Sequence, residues 1–123
     1  MRIRVNDRCK LKTLAVCVVA ACAAMFGQSP PDPALATLGR GFTSKTAQAN
    51  GTTLHYVRSG LGPAVILLQA FPEDWYEFHQ VMPRLAQQFT VIAVDLRGLG
   101  SSAVSPGGYD AANMAEDVHQ LAE

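Results

Sequence analysis

Phe89-Thr90-Val91-Ile92-Ala93-Val94-Asp95-Leu96-Arg97-Gly98-Leu99-Gly100-Ser101-Ser102 passes from an apolar run into a glycine-rich turn, with a carboxylate at the junction. A short, continuous apolar run of this kind fits a strand buried on both faces, as in a parallel sheet covered by helices. A second such run, Ala64-Val65-Ile66-Leu67-Leu68, lies upstream. Between them Phe78, Val81, Met82 and Leu85 fall on one helical stripe. Asp74 is placed to cap that helix, with Glu77 three residues on as in a capping box. Pro83 sits inside the stripe and should kink the helix or open a second short turn. A strand, a helix and a strand in this order require a crossover, and so a parallel strand pair.

Working outward, Asn50-Gly51 is a strong signal for a two-residue hairpin turn, because both positions tolerate positive φ. It separates Phe42–Ala49 from Thr52–Arg58, which alternates its side chains in the manner of a strand. Downstream, Asp95–Gly108 is a loop rich in Gly, Ser and Pro. Asp110 then caps a helix whose apolar face is Met114, Val118 and Leu121, with Tyr109 placed to staple onto Met114. The expected order is hairpin, strand, helix, strand, helix. The pattern stops at Glu123 without a C-cap glycine or a basic last turn. The chain therefore reads as cut within the fold.

The 123 residues suffice for one small domain. Zero net charge conceals an asymmetry, since residues 1–36 hold five basic and two acidic groups and the remainder five basic and eight acidic. A mildly acidic domain without a Lys/Arg cluster offers no footprint for nucleic acid. Cys9, Cys17 and Cys22 all lie in the first 22 residues, which leaves the domain without a disulfide or a thiolate metal site of its own. His55, His79 and His119 lack zinc-site spacing and read as ordinary surface or half-buried histidines, so neither a metal nor a cofactor is expected.

Arg2–Lys12 is basic, and Leu14–Phe26 then runs without a charge. A stretch of 13 residues is short for a membrane span, which needs about 20. These are the parts of an export signal, followed by two Ala-x-Ala sites, Ala21-Cys22-Ala23 and Ala34-Leu35-Ala36. The alternative is a lipoprotein anchored through Cys22, since Val19-Ala20-Ala21-Cys22 resembles a lipid-attachment site. Only then would a membrane be a partner. Gln28–Pro33, with three prolines, reads as an extended linker. Residues 1–36 are thus expected to be signal and linker, with the domain at 37–123.

From Asn50 to Glu123 the chain resembles the opening of an α/β-hydrolase, of the epoxide-hydrolase and haloacetate-dehalogenase branch. Two stretches carry the likeness: Ala70-Phe71-Pro72-Glu73-Asp74-Trp75-Tyr76-Glu77-Phe78 after one apolar strand, and Val91–Ser102 at the next. Members of that branch show His-Gly-Phe-Pro-Glu at the first and Asp-x-Arg-Gly-x-Gly-x-Ser at the second, in this order and at this spacing. The resemblance implies the N-terminal part of an α/β-hydrolase fold, and a complete relative that hydrolyses an epoxide or a carbon–halogen bond in a small-molecule substrate.

It further implies that Phe71 supplies a backbone N–H to the oxyanion, with Pro72 stiffening the loop. The plainer reading of the Phe71 and Trp75 side chains is packing. Asp95 and Arg97 are expected to fasten the loop. The nucleophile of this branch, an aspartate that forms an ester, sits on an elbow beyond the helix that starts near Asp110. No such elbow occurs in the chain, so the 123 residues alone are expected to be inactive. A serine esterase of the same fold, or a non-catalytic binding remnant, is the alternative.

The family's His-Gly is Gln69-Ala70 here. If residue 70 requires positive φ, alanine costs about 1–2 kcal/mol there. A shifted loop would weaken a donor worth about 3 kcal/mol in the transition state. Gly98-Leu99-Gly100-Ser101-Ser102-Ala103 also fits a dinucleotide fingerprint on paper. That fingerprint must open a helix, whereas Pro106-Gly107-Gly108 follows.

Overall fold

The computed structural model describes residues 32–123. The expected export signal, the lipidation site at Cys22 and most of the linker lie outside them.

The hairpin forms as β1 (Thr43–Ala49) and β2 (Thr52–Ser59), antiparallel, with Ala49 opposite Thr52 and Thr43 opposite Arg58. Asn50 and Gly51 take φ of 45° and 71°, the left-handed pair that a two-residue turn demands. β3 (Ala64–Leu68) and β4 (Thr90–Asp95) pair in parallel, as the crossover requires. β4 also pairs antiparallel with β2, from Ser59–Val91 to His55–Asp95, so the sheet order is β1-β2-β4-β3.

The strand at the centre behaves as its apolar run predicts. Val91, Ala93, Val94 and Asp95 of β4 are all buried. β3 does not. Its ends, Ala64 and Leu68, are exposed and its middle is half-buried. The reason is position: among the described residues β3 is a sheet edge, with a neighbour on one side.

Alternation along β4 divides the core between two faces. Val91 and Ala93 join Val57, Trp75, Met82 and Leu38 on one. Val94 joins Leu54 and Ala49 on the other, where Ile92, Tyr56 and Leu121 pack.

The crossover is not one helix. It is a 3-10 turn, Trp75–Phe78, followed by α1 (Met82–Leu85), with Pro83 in the first turn of α1. Proline lacks the N–H that a continuous helix would need there, so the second short turn wins over a kink. Met82 is fully buried and Phe78 and Leu85 pack beside it, whereas Val81 is exposed. Asp74 caps the first turn, accepting from Tyr76 N at 2.8 Å. Glu77 does not close the expected capping box but accepts instead from Ala70 N at 3.4 Å.

The last element, α2 (Ala111–Ala122), starts at the Asp110 cap, which accepts from Asn113 N at 3.1 Å and Asn113 Nδ2 at 2.6 Å.

The packed part begins before residue 37. Pro33–Leu38 forms a 3-10 turn capped by Asp32, which accepts from Ala34 N at 2.9 Å. Leu38 is buried, and Ala34 and Leu35 pack on the same cluster. This turn straddles the expected boundary at 36/37, and its apolar side chains add to a small core.

Candidate active-site loop and its supports

Parallel pairing brings the C-terminal ends of β3 and β4 together, with Leu68 opposite Val94. In open α/β sheets, the crevice beyond such strand ends is where ligands bind. Gln69 follows β3 directly and is buried. Its amide nitrogen donates to Val94 O, and its oxygen accepts from Leu96 N at 2.9 Å. One side chain thus ties the root of the β3 loop to the exit of β4.

Beyond Gln69 the chain turns tightly, with Glu73 N donating to Ala70 O at 2.8 Å. The Phe71–Pro72 peptide is cis. Ala70 is not at positive φ, so the penalty envisaged for an alanine in the family's glycine position does not arise. Among the described residues the Phe71 N–H meets no acceptor, and the residue is 83% exposed. The packing reading therefore holds for Trp75, which is buried, and fails for the Phe71 side chain.

The second motif fastens its loop as expected. Asp95 is fully buried, and its carboxylate accepts from Trp75 N at 2.7 Å, Ser101 N at 2.9 Å and His55 Nδ1 at 2.7 Å. Ser102 Oγ donates to Asp95 O at 2.6 Å and accepts from His55 N at 2.7 Å. Gly100 has φ 50°, and a Cβ there would overlap the Asp95 carboxylate. Glycine at this position lets the turn wrap the acid.

Arg97 reaches α2. Its Nε donates to Asp117 Oδ2 at 2.9 Å and its Nη2 to Asp117 Oδ1 at 2.6 Å. It also donates to Gly107 O and Asn50 O, at 3.0 and 3.1 Å. Asn50 Nδ2 completes the knot on Asp117 Oδ1 at 2.9 Å. The guanidinium hydrogen bonds hold Asp117 below the usual carboxylate range, against the opposing effect of its burial, and the same bonds raise Arg97.

Three of these groups had a faint trace in the sequence. Asp117 stands three residues from Met114 and four from Leu121, on the apolar side of its helix, where an unpaired carboxylate would be costly. His55, expected to be surface or half-buried, is buried because β2 is covered on both faces. Gln69 was visible as a departure from the family motif, but its partners are main-chain groups of β4. The glycines of the would-be dinucleotide fingerprint open no helix. Ala103 N donates to Thr53 O at 2.9 Å, and α2 starts only at Ala111.

A hairpin feeding a mixed antiparallel–parallel sheet, with the Phe71 loop and the glycine-rich turn following the parallel strands, is the arrangement that known proteins share. Residues 63–123 match the profile of the α/β-hydrolase fold, and the chain belongs to that family. It is 49% identical over 79 residues to the soluble epoxide hydrolase of a Corynebacterium species, covering 64% of this chain and 28% of that one. It is 37% identical over 86 residues to the fluoroacetate dehalogenase of a Burkholderia species, covering 66% and 28%. The solved epoxide hydrolase CorEH superposes with a TM-score of 0.64 at 49% identity, over 65% of this chain and 28% of that one. The chain thus spans little more than a quarter of the length of these relatives.

Proposed function

We propose that the complete protein to which these residues belong hydrolyses an epoxide or a carbon–halogen bond through an aspartate nucleophile and an ester intermediate. One observation supports this above others. The Phe71 N–H, unbonded within the described residues, belongs to the loop that follows β3, two residues beyond the Gln69 clamp on β4. A free N–H at that place suits an oxygen that gains charge as an ester is attacked by water. The likeness to an epoxide hydrolase and to a fluoroacetate dehalogenase favours the aspartate chemistry over a serine esterase.

The described residues supply the donor and its supports. They supply no nucleophile on an elbow, so the 123-residue polypeptide by itself does not turn over epoxides or haloacetates. The basic, apolar and Ala-x-Ala succession of the first residues supports export, with lipidation at Cys22 as the alternative.

Reading the coding frame beyond codon 123 tests the assignment of the nucleophile. An elbow with aspartate agrees with it, an elbow with serine favours the esterase, and a frame with neither removes both.

A further inference from the structure

His55 is held at both ring nitrogens. Nδ1 meets Asp95 Oδ2 at 2.7 Å, and Nε2 meets Ser44 Oγ at 2.7 Å. A carboxylate only accepts, so Nδ1 carries the hydrogen, and in the neutral ring Nε2 accepts from the Ser44 hydroxyl. The chain Ser44–His55–Asp95 thus has the order and the contacts of a hydroxyl, a base and an orienting acid. Asp95 is fully buried and fixed by two main-chain donors, while Ser44 is exposed on β1. Ser102 shows the contrast: it is buried, and its hydroxyl is occupied by Asp95 O and His55 N.

The edge of the sheet adds a donor. Ala49 and Thr52 close the two-residue hairpin as a hydrogen-bonded pair, and bonded pairs alternate with unbonded ones along the ladder. Ser44, opposite Val57, falls on an unbonded position. Its own N–H therefore points away from β2, towards the side of β1 that no described strand covers.

We propose that Ser44, His55 and Asp95 form a nucleophilic site that takes an activated acyl or phosphonyl group onto Ser44 Oγ. With an aryl ester, His55 Nε2 accepts the Ser44 proton as Oγ bonds the carbonyl carbon. The carbon–aryloxide bond breaks, and the aryloxide leaves with that proton as a phenol. With a fluorophosphonate, Oγ bonds phosphorus and fluoride leaves with the proton. One N–H is a sparse oxyanion site, so the product is a stable Ser44 adduct formed once per chain. None of the three groups belongs to the Phe71 loop, so this site stands or falls independently of the epoxide or dehalogenase reading.

The test is a fluorophosphonate probe on the full 123-residue chain, with the modified residue located by peptide mass spectrometry. An adduct on Ser44 is expected, and it should vanish in Ser44→Ala and in denaturing urea. It should form about a hundredfold more slowly in His55→Gln, the scale of a lost general base, and remain in Ser101→Ala and Ser105→Ala. Because Ser44→Ala alters an exposed strand position, its unfolding curve should match that of the parent chain. A Ser44 left unmodified overturns the proposal. So does labelling that survives urea or is indifferent to His55.

Discussion

Arg97 and Asp117 lie 20 residues apart and meet in a two-pronged ion pair, Nε to Oδ2 at 2.9 Å and Nη2 to Oδ1 at 2.6 Å. The pair joins the glycine-rich turn after β4 to α2, and through Asn50 it also holds the hairpin turn. Three segments distant in sequence thus converge on one carboxylate.

Removing one partner of a buried pair leaves a charge without compensation, at a cost of about 3–5 kcal/mol. Asp117→Ala is therefore expected to lose most of the stability of a small domain in urea unfolding. Arg97→Lys should fall well short of the parent, because an ammonium cannot reproduce the fork. A loss below 1 kcal/mol in Asp117→Ala would show that the knot is ornamental.

The same pair sets an acid limb. Asp117 is lowered in the folded chain by the Arg97 hydrogen bonds first, and Asp110 is lowered by Asn113. A lowered carboxylate stabilises fully above its unfolded value, about 4. That contribution fades as pH falls through the folded value, where the native state at last takes up the proton. Stability should therefore drop on acidification below about pH 4, and less steeply in Asp117→Asn. Identical acid limbs in the two proteins would contradict the assignment.

Gly100→Ala is expected to cost at least about 1–2 kcal/mol for the left-handed backbone alone, and more because its Cβ overlaps the Asp95 carboxylate. Gly107→Ala is the control: no atom lies within 4 Å of its Cβ position, and its φ is not positive. Thermal unfolding of the two variants should separate them clearly, and equal midpoints would refute the crowding at Asp95.

If the protein is exported, signal cleavage should fall near residue 24 rather than after Ala36. Cutting at the second Ala-x-Ala site would strip Ala34 and Leu35 from the core cluster around Leu38. N-terminal sequencing of the mature protein reads this directly. A mature start at residue 37 would sink the preference, an intact Met1 would sink export, and a lipid-modified Cys22 would establish the anchored form.

Local chemistry was legible, and so were the hairpin and the parallel pairing of β3 with β4; the order of the strands across the sheet was not. Asn50-Gly51 declared its hairpin because two consecutive left-handed residues suit few other sequences. The apolar runs declared β3 and β4, and Asp110 declared the start of α2. Nothing within β3 shows that it lies at an edge among the described residues, since its exposure depends on which strand sits beside it. The insertion of β4 between β2 and β3 is likewise a long-range fact. His55 pairs with Asp95 across 40 residues, and that pairing follows from the β2–β4 register rather than from either residue's neighbours. At the loop, the motif pointed to Phe71, but the role of Gln69 could not be read because its partners are main-chain atoms.

A single-turnover experiment tests the ester mechanism most directly. The native protein, purified from its own cells, is mixed in excess with an epoxide or a haloacetate in water enriched in heavy oxygen. If an aspartate attacks carbon and water then attacks the ester carbonyl, the first product carries ordinary oxygen and the heavy atom appears in the protein. Heavy oxygen in the first product would mean direct attack by water and would contradict the account, as would cleavage of aryl esters with no turnover of either substrate.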